Sequence, residues 1–480
     1  MTSQVSRGGT AGEADRPLTE SSQPRRRPWR AAFAFIAAAS LLAAGWLPWT
    51  APAPEFIEVT EVFHASGQLL AGAGKAAISQ VSPVDRAGYP PWRPTASGQD
   101  FPLFARALAL RMGDRTLCLI SLDLLEIPEA LSKEIGGRVR ALGASAVVVS
   151  ATHVHSSLGG YDRNLAAVFA ATGTFDAAQF QEIADAAARA ALASLDSLAP
   201  ASLGRASRHL TGLNVNRAEK DGPIDDRLTV LAFNADGGLP VATLFTFDAH
   251  PTLIHRRSPR TDADFPGRAA ERIEAATGAP AIFFQGAAGD ARAVPPSLPE
   301  MPPSEAPAVF ARAEAMAQRL AQEVIQARAQ TALLPASELA FARARIGLPS
   351  AMAPSTVPAA VRPPSDKILG AILMDTAELS LTRLGGLTIA AIPGEPTFFA
   401  GRGLSDALTA ETAPEDAPLF MGLADGYIGY IESDERRRGG LGESRRALWA
   451  PGLEKRLADG LAALDRRLKD ERGPDASPAP

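Results

Sequence analysis

Short apolar runs alternate with helical stretches along this chain, and several runs close directly on a compact polar motif. That pattern predicts an α/β fold: a single large domain with a central mixed β-sheet covered by helices. Three runs carry the argument. Residues 146–149, 241–247 and 387–392 read as buried strands, and Thr152-His153-Val154-His155-Ser156, Phe247-Asp248-Ala249-His250 and Ile392-Pro393-Gly394-Glu395 sit at or just beyond their ends. The end of a buried strand is where a rigid sheet aims side chains into a crevice.

The helical stretches are residues 128–142, 177–195, 266–276, 306–327 and 452–468, and nothing between Glu58 and Leu468 reads as an interdomain linker. The domain is therefore expected over 58–468, with residues 469–480 as a disordered tail. Residues 294–307 and 348–364 are crowded with proline, which fixes φ and cannot donate to a ladder, so both are expected as loops. The first follows a polar motif and would serve as a rim, a lid or a plain surface loop.

The amino terminus reads as an address. Residues 1–30 form a polar, basic tail expected to be disordered, in which Arg25, Arg26, Arg27 and Arg30 precede an apolar stretch at 31–49. That stretch spans roughly 28 Å as a helix, close to the ~30 Å of a bilayer core. The positive charge before it predicts one N-terminal transmembrane helix. It would anchor the protein in the membrane with the domain outside the cytosol, periplasmic or extracellular. Ala43-Ala44-Gly45 and Ala51-Pro52-Ala53 keep a cleaved signal sequence, and secretion, as the alternative.

Composition narrows the function. A net charge of −5 gives no reason to expect nucleic acid. Cys118 is the only cysteine, which excludes an intrachain disulfide and a cysteine-based zinc site. Nothing implies an obligate protein partner. Only six histidines are present, and His153, His155 and His250 lie in the strand-end motifs. With Glu395 and the phenols of Tyr427-Ile428-Gly429-Tyr430, these are the donor types of a catalytic zinc site with one open position. A lone His-x-His is weak support, and only one of the two need touch a metal once the chain leaves its strand. Glu395 argues more strongly, because a carboxylate ending a buried strand is costly without a partner.

These motifs, in this order, resemble the catalytic N-terminal domain of the neutral/alkaline non-lysosomal ceramidases. The likeness begins at Leu70-Ala71-Gly72-Ala73-Gly74-Lys75 and Ala87-Gly88-Tyr89 and passes through Ser121-Leu122-Asp123 and the T-H-x-H motif with Gly159-Gly160-Tyr161. It continues through Asn216-Arg217, the His250 motif, Gly289-Asp290 and the P-G-E motif to Gly422-Leu423-Ala424. The resemblance implies one Zn²⁺ held by His153, His250, Glu395 and Tyr430. It implies that His155 lies beside the reacting water or carbonyl, and that Arg217 positions substrate. Asp123 and Asp248 are candidates to receive the other N–H of the ligating imidazoles.

Two departures stand out. Where the family carries a serine after Gly-Asp-x, this chain has Arg292, in Gly289-Asp290-Ala291-Arg292-Ala293. That guanidinium should pair with Asp290 or point into the cleft. The family's C-terminal β-sandwich also has no counterpart after about Leu468. The expected activity is zinc-dependent hydrolysis of an amide or ester in a lipid or small N-acyl substrate, with His155, Arg217, Tyr430 and Arg292 at the catalytic site. Hydrolysis of a smaller or anionic substrate, and a zinc-binding pseudoenzyme, are the alternatives.

Overall fold

Strands that are apolar on both faces must be covered on both sides. In the computed structural model, which describes residues 55–89, 93–296, 306–334, 336–358, 362–408 and 417–471, the cover comes as four layers: helix, sheet, sheet, helix. Leu103–Met112 shows why. Leu103, Ala105, Ala107 and Ala109 pack beneath helices, while Leu108, Leu110 and Met112 face a second sheet. Cys118, Ile120 and Leu122 alternate in the same way with Leu117 and Leu119 in the next strand.

The larger sheet runs, in spatial order, Ala281–Phe284, Pro240–Thr246, Arg227–Ala235, Ala199–His209, Leu70–Ile78, Leu103–Met112, Arg115–Leu122 and Ala146–Ala151, with Ala332–Leu334 added to Ala199–His209. It is mixed: the first pair and the last pair are parallel, the rest antiparallel. The smaller sheet runs Ile57–Ser66, Glu338–Gly347, Thr376–Leu384, Leu387–Ala391 and Leu419–Met421. The expected single central sheet is therefore corrected to two, packed face to face through Phe63, Leu119, Val148, Leu244, Phe341 and Ile389. Helices Glu129–Ala141, Ala177–Asp196, Asp264–Thr277 and Ala306–Arg328 cover the larger sheet, and Phe398–Asp406 and Leu453–Glu471 cover the smaller.

All five expected helices form, within a few residues of their expected ends. The proline-rich stretch at 348–364 is only partly a loop, because Arg362–Ile372 is helical. Pro363 and Pro364 occupy its first turn, where the missing N–H has no helical partner to lose. The tail boundary expected at 469 is corrected: Lys469 pairs with Asp465 and Arg467 with Glu471, carrying the last helix to Glu471. Residues 297–305 of the other proline-rich segment, the tail beyond 471, and residues 1–54 with the expected membrane helix at 31–49 lie outside the described residues. Among the described residues no helix is long and apolar enough to cross a membrane.

Glycine decides how closely one helix docks. A Cβ at Gly74 would lie 2.1 Å from the Ala190 carbonyl oxygen, and one at Gly72 would lie 2.2 Å from that of Ser194, both in helix Ala177–Asp196. Gly74→Ala should therefore destabilise the fold by about 2 kcal/mol or more, through overpacking against backbone. Gly137→Ala, in a helix with no atom within 4 Å of the new methyl, should instead stabilise by about 0.5–1 kcal/mol. Denaturant titration of the two variants checks both signs.

A second prediction concerns Asp264, which opens helix Asp264–Thr277. Its carboxyl accepts from the amides of Leu253, Ile254 and Phe265 and so anchors the loop after His250. Burial, reinforced by Asp262, outweighs those bonds and pushes it up to about 7. A carboxyl raised in this way favours the fold while protonated, and the advantage is lost as pH rises from its unfolded value of ~4 toward 7. Relative to wild type, Asp264→Asn should gain about 2 kcal/mol between pH 5 and pH 8. Denaturant midpoints that track each other across that range would reject this account.

Candidate metal centre

Three strand ends from two sheets meet at one edge of the molecule. His153 and His155 follow Ala146–Ala151, and His250 follows Pro240–Thr246, both in the larger sheet. Glu395 follows Leu387–Ala391 of the smaller one and begins a two-residue strand, Glu395–Pro396, paired in parallel with Tyr430–Ile431. Glu395 and Tyr430 are register partners, so their side chains leave on the same face. His153 has φ of +67°, a left-handed conformation a non-glycine residue adopts only when its surroundings impose it. That turn brings both imidazoles of the T-H-V-H motif inward, where the sequence required only one.

The ring orientations are fixed from behind. His153 Nδ1 donates to the Leu125 carbonyl at 2.8 Å, and His250 Nδ1 donates to the carbonyls of Ala288 at 2.8 Å and Ala291 at 3.0 Å. Carbonyl oxygens only accept, so Nδ1 carries the proton in both rings and each Nε2 presents a lone pair. Those lone pairs face Glu395 Oε2, 3.1 Å from His153 and 3.0 Å from His250. Backbone carbonyls thus do the work expected of Asp123 and Asp248. Asp123 is occupied by Arg106 and the Phe104 amide, and neither carboxylate receives an imidazole N–H.

The fourth donor is close. Tyr430 Oη lies 3.4 Å from His250 Nε2, and His155 Nε2 lies 3.2 Å from His153 Nε2. His153, His155 and His250 place ring nitrogens within 4.8 Å of one another. Donors bonded to one tetrahedral ion at about 2.0–2.2 Å stand about 3.3–3.6 Å apart, close to these separations. Glu395 Oε2 is buried with no hydrogen-bond donor, while Tyr427 donates to Oε1 at 2.5 Å. Electron pairs converging on a buried oxygen that has no donor are what a bound cation resolves, so the residues present fit a divalent metal.

The charge states agree. Burial, with the Arg217 charge nearby, pushes His250 down to about 3. Burial and then the neighbouring imidazoles of His153 and His250 hold His155 well below its usual value. Burial alone would raise Glu395, but His153 and His250 outweigh it and keep the carboxyl well below the usual range. At pH 7 His155 and His250 are neutral imidazoles and Glu395 is a carboxylate, the ligating forms.

Arg217 reaches Tyr430 Oη at 3.0 Å, the Gly289 carbonyl at 2.7 Å and Glu443 at 3.1 Å. Burial, then Glu395, pushes the Tyr430 phenol up, with Arg217 working against them. Of the two outcomes expected for Arg292, pairing with Asp290 does not occur. Asp290 accepts from Asn216 and the Phe398 amide, and among the described residues Arg292 forms no ion pair with it. Arg292 is exposed, and it is the bridge partner of His250. A separate cavity of about 570 Å³, lined by Arg208, Asp225, Arg402 and others, includes none of the seven predicted site residues.

Sequence reasoning placed Tyr427 in a motif but gave it no role, and it missed Glu443. The phenol's signal is its spacing three residues before Tyr430. Glu443 carries none, because it reaches Arg217 only through the fold.

Residues 69–291 match the family model described as neutral/alkaline non-lysosomal ceramidase, N-terminal. Residues 69–291 belong to this family's N-terminal domain. No curated protein matches the sequence. Among solved structures it resembles the neutral ceramidase from Pseudomonas aeruginosa, with a TM-score of 0.71 at 19% identity, covering 84% of this chain and 75% of that one. It also resembles a structure titled as ceramidase complexed with C2, with a TM-score of 0.71 at 20% identity, covering 86% and 77%. At such identities the structural likeness speaks for the ceramidase fold. Three of the proposed ligands and helpers, Glu395, Tyr427 and Tyr430, lie beyond the matched residues 69–291, and the fold brings them to the ceramidase-like histidines.

For this centre, His250→Ala and Glu395→Ala should each abolish bound metal in the purified protein, measured by elemental analysis. Tyr427→Phe, which removes only the support of Glu395 Oε1, should weaken metal affinity by about 10–100-fold. Full metal occupancy in Glu395→Ala would remove that residue from the ligand set.

Proposed function

We propose that the chain is a zinc-dependent amidohydrolase acting on N-acyl lipids of the ceramide type, with Zn²⁺ held by His153, His250, Glu395 and Tyr430. The observation that carries this reading is the donor set itself: two imidazoles locked with Nε2 lone pairs inward, a buried carboxylate oxygen without a donor, and a phenol beside them. A zinc ion there supplies Lewis acidity toward the scissile carbonyl and the attacking water.

The chain's own residues do the rest. Arg217 and the protonated Tyr430 phenol form a hydrogen-bonded pair at 3.0 Å. They present a fixed cation and an O–H where negative charge develops on the carbonyl oxygen. His155 is neutral and faces the cluster through Nε2, where it takes the proton released by the attacking water and passes it to the departing amine. Arg217 is held in place by Glu443 and the Gly289 carbonyl, so little reorganisation is needed when charge appears.

Purified protein should hydrolyse an N-acyl sphingoid amide, lose activity to a chelator and regain it with zinc. Arg217→Gln should lower kcat by about 10²-fold or more with metal content unchanged. Turnover that survives complete metal removal would sink the reading. We also place the domain outside the cytosol, on the arginine-then-apolar pattern of residues 25–49. A reporter fused after Pro480 should be active only there, and cytosolic activity would overturn the placement.

A further inference from the structure

One side of the metal centre carries more guanidinium than carboxylate. Glu443, fully buried, faces three arginines: Arg217 at 3.1 Å, Arg445 at 3.7 Å, and Arg446 in direct contact. Two of the three positive charges therefore have no counterpart on that carboxylate. Glu395 also acts on Arg217, but it is turned to the imidazoles of His153 and His250, and the other neighbouring acids have partners of their own. Glu219 and Glu432 face Arg436, and Asp290 is occupied by Asn216 and the Phe398 amide. The Arg446 and Arg217 guanidiniums stand 5.8 Å and 5.4 Å from the centroid of the Tyr430 ring. That ring stacks on His250 with 6.3 Å between centroids and 15° between planes.

Arg292 is tied through the main chain to the His250 end of this stack. Ala291 and Ala293 point into the core, so Arg292 points out of it. It is the bridge partner of His250, and bridge partners send their side chains to the same face. The Arg292 side chain therefore leaves on the face where His250 meets the ligand cluster. It is exposed and, among the described residues, has no ion-pair partner. A guanidinium left in this state at the edge of a buried site is suited to a planar oxyanion.

We propose that the substrate carries an oxyanion close to its scissile amide, received by Arg292 beside His250 and by Arg446 beside Tyr430. This rests on the amidohydrolase reading above and, within N-acyl compounds, shifts the preferred substrate from the neutral ceramide type to those bearing a carboxylate, sulfate or phosphate next to the amide. The anion belongs to the substrate, because Arg446 stands against the Tyr430 ring and Arg292 is the bridge partner of His250.

The test uses soluble short-chain pairs, so that no bilayer surface supplies the charge: an N-octanoyl amino acid, the matching N-octanoyl amino alcohol, and its O-phosphate. The wild-type zinc-loaded enzyme should favour the acid or the phosphate over the alcohol by about 10–100-fold in kcat/KM. That ratio should shrink with added salt. Arg292→Gln and Arg446→Gln should each lower the ratio about tenfold with metal content retained, and Arg292→Lys should restore part of it. Equal or better turnover of the neutral alcohol overturns the proposal while leaving the amidohydrolase intact. Calorimetric binding to the metal-free protein separates the two claims. Tighter binding of the anionic member, lost in Arg292→Gln, supports the subsite even if neither amide is cleaved. Equal binding of the pair overturns it.

Discussion

The constraint on which this structure turns is the crowding of electron pairs at one buried point. Two imidazole Nε2 atoms face the same carboxylate oxygen at 3.0 and 3.1 Å, and no donor reaches that oxygen. Left to themselves these groups would rotate or protonate. They are kept from rotating by backbone carbonyls behind each ring, at Leu125, Ala288 and Ala291, and by the Tyr427 hydroxyl on the other carboxylate oxygen. The positive φ of His153 belongs to the same arrangement, a local cost sustained by the packing around it.

Those carbonyls are available because the two sheets are laced together just below the site. Residues 422–425 hydrogen-bond in succession to Gln285, Gly394, Ile392 and Val149, and the Ser150 hydroxyl donates to the Gly422 carbonyl. One tightly turned segment, with Leu423 and Asp425 at positive φ, therefore touches the strand ends before His153 and Glu395. It reaches that of His250 through Gln285, whose side-chain amide donates to the Ala249 carbonyl. Displacing it would move His153, His250 and Glu395 relative to one another. In a centre made of second-row atoms at fixed bond lengths, small displacements of that kind matter. The sheet–sheet core and the metal centre are consequently parts of one mechanical unit rather than a scaffold with a site added.

Much of this was legible in the sequence, for identifiable reasons. Strand ends could be read because apolar runs stop sharply at Thr152, Asp248 and Pro393, and the donor types that follow are few and chemically distinct. The long helices could be read from their periodicity. Pairing of two sheets could not, because a strand buried on both faces reads the same whether a helix or a second sheet covers it. The sources of the second imidazole hydrogen bonds were also hidden. Main-chain carbonyls are present at every residue and leave no mark in a sequence, so Asp123 and Asp248 were the visible but incorrect candidates. Short helices such as Phe398–Asp406 and Asp434–Gly439 span too few turns to show a period. Arg292 lay between cases: its oddity was visible, but its orientation came from its bridge to His250.

The division of the ligands between two sheets has a thermodynamic consequence. His153 and His250 follow strands of one large sheet and Glu395 follows a strand of the other, so an ion held among them would act as a cross-link between layers and close a very long loop of chain. Cross-links of that reach restrict the unfolded ensemble most, and ligands that bind only the native state add stability by mass action. Conformational integrity and catalytic competence would then draw on the same free ion concentration. Metal scarcity would loosen the seam between the sheets at the place where the hydrolytic groups are held, and for such a protein the supply of its ion is a condition of remaining assembled as well as of turning over.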